Sequence, residues 1–135
     1  MSKPLWSLVA AVLILSIALV ACDAGNSSPK DATYEQITPA EAKTLMDSEQ
    51  EYIILDVRTP EEYAAGHIAG AVLIPDYEIG DKAEAILTDK DQLILVYCRS
   101  GRRSKNAANE LATLGYTNIK EFGGINDWEY GTVTE

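Results

Sequence analysis

Leu93-Ile94-Leu95-Val96-Tyr97-Cys98-Arg99-Ser100-Gly101-Arg102-Arg103-Ser104 runs from a continuous apolar segment into a short arginine-rich loop. The apolar part has strand length and polar boundaries, the pattern of a strand buried on both faces. Cys98 stands at its carboxyl end. The residues from Ser104 to Leu114 have helical character and stop at Gly115. A strand, a tight loop and a helix N-terminus direct backbone N–H groups and the positive end of the helix dipole towards one point. The chain has four arginines, and three of them, Arg99, Arg102 and Arg103, follow within five residues of Cys98. Gly101 supplies the backbone freedom that a loop curled around an anion needs. A lone cysteine at a strand end is ordinarily an inert small hydrophobe. This cationic setting instead favours a reactive thiolate facing an anion.

Working outward, the first residues read as a targeting segment. Lys3 is the only charge before an apolar run from Leu5 to Ala21, which ends at Cys22. A basic start, an apolar middle and small residues at the cut make a secretory signal over 1–21. Leu19-Val20-Ala21-Cys22 resembles the lipobox of bacterial lipoproteins, in which the cysteine is acylated and becomes the first mature residue. The rival expectation is an uncleaved anchor, since the run sits at the lower length limit for crossing a bilayer. Residues 22–33 then form the acylated end and a polar tether, whose ten residues Asp23–Ala32 span roughly 18 Å as a flexible coil. The expected location is exported, anchored by lipid to the outer or periplasmic side of a bacterial cell membrane.

With Cys22 committed to lipid, Cys98 has no partner for an internal disulfide. The folded part, 34–135, must rely on one modest apolar core. Net charge is −10, and removing residues 1–21 takes away Lys3 alone, leaving the balance still more acidic. Such a body lacks the basic footprint of a nucleic-acid binder. Positive charge gathers only at the loop, so the ligand is expected to be a small anion in a local pocket.

Strand and helix signals alternate along this domain. Tyr34 to Ile37 is a strand candidate. Thr38-Pro39-Ala40-Glu41 opens a helix through about Ser48, with Thr38 and Glu41 as a capping box. Glu51 to Val57 holds a second buried run. Thr59-Pro60-Glu61-Glu62 repeats the capping pattern for a short helix to Ala65, ended by Gly66. Ala71 to Ile74 is a third strand, and Glu78 to Leu87 a helix weakened by Gly80. After the central strand and its helix come a strand over Asn118 to Phe122 and a short helix around Trp128. The alternation predicts an α/β fold with a parallel sheet covered on both faces, binding its ligand at the strands' carboxyl ends.

Several separated motifs together resemble the rhodanese-like sulfurtransferases. They are Leu55-Asp56-Val57-Arg58, Glu62-Tyr63, Gly66-His67-Ile68-Ala69-Gly70-Ala71, Ile74-Pro75, the segment Tyr97 to Ser104, and Gly123-Gly124-Ile125 before Trp128. The resemblance covers roughly Tyr34 to Tyr130 and implies a single rhodanese-like domain with a mainly parallel five-stranded sheet. It also implies that Cys98 accepts a sulfane sulfur from thiosulfate or a similar donor, holds it as a persulfide, and passes it to cyanide or a thiol. Phosphatases and arsenate reductases of the same fold are similar, but their loop has one more residue between cysteine and arginine; the shorter loop here suits a terminal sulfur. The other functions considered are a membrane-tethered sulfur carrier and a sensor of oxidants or reactive sulfur.

Backbone N–H groups of residues 99–103, including Ser100 and Gly101, with Arg99 and Arg102 beside them, can bind a doubly charged oxyanion. Arg103 is expected to tie the loop to Glu62. Asp56 and Arg58, at a strand end, make a structural ion pair or face the pocket; Arg58 is placed among the substrate-binding groups, Asp56 on the structural side, and His67 in a structural hydrogen bond. No cofactor is implied. The chemistry needs no metal, and one histidine with one available cysteine makes no usual zinc site. The sequence does not set the oligomeric state.

Overall fold

The computed structural model describes residues 33–134. The signal, Cys22 and almost all of the tether lie outside them. The domain is built on one sheet of five parallel strands, β1 (Glu35–Gln36), β2 (Ile53–Asp56), β3 (Val72–Leu73), β4 (Ile94–Cys98) and β5 (Ile119–Gly124), in the order β1-β5-β4-β2-β3. Four helices connect them: α1 (Pro39–Met46), α2 (Pro60–Ala65), α3 (Ile79–Ile86) and α4 (Arg102–Thr113). Tight turns of 3₁₀ helix lie at Asp76–Glu78 and Ile125–Asp127.

β4 is central because all five of its residues are buried. Its side chains alternate, as pleating requires. Ile94, Val96 and Cys98 enter a core with Ile79 and Ala83 of α3 and Ala107, Ala108 and Leu111 of α4. Leu95 and Tyr97 enter the opposite core, with Ala42 of α1 and Phe122 of β5, against which Tyr63 and Trp128 pack. Each fully buried aliphatic side chain contributes roughly 2 kcal/mol relative to exposure. Cys98 therefore ends the strand on the face covered by α4.

Helix starts follow the capping chemistry. Thr38 Oγ1 accepts from Glu41 N–H at 3.1 Å, and a Glu41 carboxylate oxygen accepts from Thr38 N–H at 2.7 Å, closing the box at α1. That bonding with Thr38 holds the Glu41 carboxyl below its ordinary value. At α2, Thr59 Oγ1 accepts from Glu62 N–H at 3.2 Å and donates to Glu62 Oε1 at 3.3 Å, while the same carboxylate also binds Arg103. Gly80 does not break α3. A Cβ there would meet only the tip of the exposed Glu110 side chain, 2.8 Å from Oε1, which can swing aside.

The carboxyl ends of β4 and β5 differ from a regular ladder. Val96 pairs with Glu121 and Cys98 with Gly124, so two residues of β4 face three of β5. Gly123, at φ +87°, lies within this bulge. The expected helix around Trp128 is instead the 3₁₀ turn 125–127, with Trp128 extended beyond it. Trp128 packs its ring 5.7 Å from that of Phe122.

Candidate active site

Cys98 is 1% exposed and turns its sulfur into the loop that joins β4 to α4. Gly101 N–H donates to Sγ at 3.0 Å. Gly101 can do so because it adopts φ +105°, in the left-handed region that favours glycine. That conformation ends the loop and starts α4 at Arg102, whose opening turn leaves its N–H groups without intrahelical acceptors. The loop is held from behind by β5. Asn126 N–H donates to the Arg99 carbonyl at 3.1 Å, and Gly124 lies so close that a Cβ there would stand 2.0 Å from that oxygen.

The side chains on the loop divide by exposure. Arg99, Ser100 and Arg102 are exposed. Neither Arg99 nor Arg102 forms a side-chain hydrogen bond or ion pair among the described residues, so their charge stays open to a ligand. Arg103 is different. Its Nη1 and Nη2 donate to the two Glu62 oxygens at 2.7 and 2.9 Å, fixing the head of α4 to α2. The fork holds the Glu62 carboxyl down at about 2. It also raises the Arg103 guanidinium, with smaller contributions from the Cys98 and Asp76 charges.

Arg58, expected at the substrate, belongs to a separate buried network. It is 4% exposed; Nε and Nη2 bind the Asp56 carboxylate, and Nη2 also donates to the Gly66 carbonyl at 2.7 Å. Burial works against its charge, but Asp56 outweighs burial and holds the guanidinium above its ordinary value. Tyr97 Oη donates to Asp56 at 2.6 Å and accepts from Ile68 N–H at 3.1 Å. Burial, then Asp56, push the Tyr97 phenol up. None of the hydrogen bonds of Arg58 among the described residues reaches the loop. Asp56 pairs with it as expected. His67 is buried, stacks on Tyr63 with ring centroids 3.7 Å apart, and directs Nδ1 at the Tyr63 carbonyl at 2.9 Å.

Two groups near the sulfur had no place among the expected site residues. Ser104 Oγ lies 3.3 Å from Cys98 Sγ, and the buried Glu121 accepts from Ser104 at 2.6 Å. Glu121 shares its strand face with Ile119, an alternation that marks a carboxylate pointing inward.

Similarity to known proteins places the domain that carries this loop in a family. The Rhodanese-like domain model matches residues 38–130. The chain belongs to the rhodanese family. The thiosulfate sulfurtransferase PspE of Escherichia coli (strain K12) is 38% identical over 73 residues, covering 54% of this chain and 70% of that protein. The thiosulfate sulfurtransferase GlpE of Pseudomonas entomophila (strain L48) is 32% identical over 96 residues, covering 70% and 84%. Among solved structures, a rhodanese with anions from E. coli superposes with a TM-score of 0.59 at 34% identity, covering 62% of this chain and 99% of that one. This rhodanese is accordingly a sulfurtransferase-type enzyme, with the five-stranded parallel sheet of its family.

Proposed function

We propose that Cys98 carries sulfur from thiosulfate or a similar anionic donor to cyanide or a thiol acceptor. The Cys98 thiolate attacks the outer sulfur of thiosulfate. A bond from Sγ to that sulfur forms, the donor's S–S bond breaks, and sulfite leaves with the electron pair. The acceptor then attacks the terminal sulfur of the persulfide and releases the thiolate. The loop amides, with Arg99 and Arg102, hold the donor's oxyanion and balance the charge that grows on the departing sulfite. The observation that carries this reading is the Gly101 N–H bond to Sγ at 3.0 Å, at the head of α4. Two relatives are named thiosulfate sulfurtransferases, which supports the same donor class. Mass spectrometry after thiosulfate treatment tests it. The expected result is a gain of about 32 Da, one sulfur atom, on Cys98 and none in Cys98→Ala. An unmodified wild-type protein, or equal uptake by the variant, overturns the reading. Steady-state transfer to cyanide separates an enzyme from a sensor or carrier that loads without turnover.

The proposed setting is the outer or periplasmic face of a bacterial cell membrane, with acylated Cys22 as the anchor. The basic start, apolar run and terminal Leu-Val-Ala-Cys support it. Cys22→Ser should then release the protein from the membrane fraction. Retention of that variant would favour an uncleaved anchor instead.

A further inference from the structure

The carboxylate of Glu121 is 2% exposed, and its two hydrogen-bond partners are the Ser104 hydroxyl and Gly123 N–H, at 2.6 and 2.8 Å. No cationic side chain bonds to it among the described residues. A buried carboxylate without a cation is costly, so its place behind the loop calls for an explanation. Ser104 Oγ also lies 3.1 Å from the Gly101 carbonyl, 3.2 Å from the Gly123 carbonyl and 3.3 Å from Cys98 Sγ. A hydroxyl has one hydrogen to give, and the short contact to a carboxylate claims it. What Ser104 offers the sulfur is therefore a lone pair, and the Cys98 S–H donates to it.

The geometry points to a proton relay in which Glu121 receives the Cys98 proton through Ser104, making Glu121 the internal base of the nucleophile. This inference rests on Cys98 being the nucleophile of the proposed sulfur transfer. As the S–H bond breaks, a new O–H forms on Ser104. The original Ser104 O–H breaks as an O–H forms on Glu121 Oε1. No electrons change hands between partners, and the sulfur keeps its pair. The three groups carry one negative charge before and after, so the buried site gains none. Gly101 N–H already donates to the sulfur that receives the charge.

The surrounding charges do not compete for this proton. Arg103, which feels the Cys98 charge, is forked to Glu62, with Asp76 farther along the same cluster. On β4, Tyr97 points to the opposite face and is bound to Asp56. Lys120, next to Glu121 on β5, is paired with Glu35 of β1.

A relay leaves a mark on pH dependence that a packing role does not. Moving the proton within the trio makes thiolate without releasing a proton to solvent, so the thiolate population is independent of pH while Cys98 and Glu121 share one proton between them. Iodoacetamide, a neutral reagent, reports that population as a rate of alkylation at Cys98. Between about pH 5.5 and about pH 7.5 the wild-type rate is expected to change less than about threefold. Glu121→Gln keeps an acceptor for Ser104 but takes no proton, and its rate should climb about tenfold per pH unit. Glu121→Asp keeps a carboxylate that can take the proton and should stay flat, which keeps the test decisive should Glu121→Gln fail to fold. A wild-type rate climbing about tenfold per pH unit, or a flat profile in Glu121→Gln, overturns the relay. Alkylation does not require sulfur transfer. A flat wild-type profile without sulfur uptake would remove the transfer reading and leave the relay standing, and the reverse result would do the opposite.

Discussion

Arg103 and Glu62 join α4 to α2 through two parallel hydrogen bonds of 2.7 and 2.9 Å, with side chains 30% and 26% exposed. The sign of the pH effect follows from the carboxyl. Glu62 is held at about 2 in the folded protein against an ordinary 4.5. The fork therefore stabilises the fold fully above the unfolded value and loses its contribution as pH falls through about 2. Partial exposure keeps the magnitude near that of a good surface pair, about 1 kcal/mol. Unfolding free energies of wild type and Glu62→Gln from urea titration should differ by that amount at neutral pH and converge towards about pH 2. A gap that does not change with pH would count against the fork. Arg103→Ala should show the same loss, with reduced sulfur transfer because the loop is less firmly held.

Asp56 is the residue whose loss should cost most stability. It is fully buried, and it satisfies Arg58 Nε and Nη2 together with Tyr97 Oη. Asp56→Ala leaves the Arg58 charge buried without its counter-ion, which costs about 3–5 kcal/mol. Tyr97→Phe removes one hydrogen bond to the carboxylate and unpairs Ile68 N–H, for about 1–3 kcal/mol. Thermal unfolding measures both. If Asp56→Ala melts with the wild type, the network is not what holds these strand ends together.

These two pairs show unequal legibility in the sequence. The apolar runs of β2 and β4 and the Thr-Pro caps of α1 and α2 are local signals, and the parallel sheet followed from their alternation. The Arg103–Glu62 fork is legible across 41 residues because both stand, with opposite charges, in motifs that carry the resemblance. Local rules misjudged the start of α4, placed at Ser104 rather than Arg102, because the cap is a left-handed glycine and not a Ser or Thr side chain. They ended β5 at Phe122 because the bulge at Gly123, which extends pairing to Gly124, depends on β4. The motif Asp56-Val57-Arg58 leaves open whether the guanidinium turns to Asp56 or to the pocket, and the structure shows it bonded to Asp56. Glu121 is not legible in the same way because it lies outside every motif that carries the resemblance, although its partner Ser104 stands inside one.

Arg99 and Arg102 are exposed on the loop and bound to no other described side chain, so their charge is available to the donor anion. Arg99→Ala and Arg102→Ala should each raise the KM for thiosulfate about 5- to 20-fold, the range of a partly screened charge-assisted contact. Folding stability should change by less than about 0.5 kcal/mol, as for surface substitutions without partners. Added salt should weaken thiosulfate binding by the wild type more than by either variant. An unchanged KM in both variants would assign donor binding to the backbone amides alone.

Gly124 tests whether the loop takes its shape from β5. Its φ is −142°, a backbone angle open to any residue, so conformational freedom is not the reason for glycine here. The reason is space. A Cβ would stand 2.0 Å from the Arg99 carbonyl oxygen, 2.3 Å from its carbon and 2.5 Å from Ser100 N. All three are backbone atoms, which cannot swing aside as a side-chain tip can, so the loop itself must move. That motion strains the Asn126 N–H bond to Arg99 and the register of Cys98 against Gly124, and with them the Gly101 N–H bond to the sulfur. Gly124→Ala should destabilise the domain by about 3 kcal/mol, the scale of overpacking a tight core. At a temperature where the variant is still folded by circular dichroism, sulfur uptake should fall at least about tenfold, because a misplaced cradle no longer meets the donor. Wild-type uptake by a folded Gly124→Ala variant would mean that the loop holds its shape without β5 behind it.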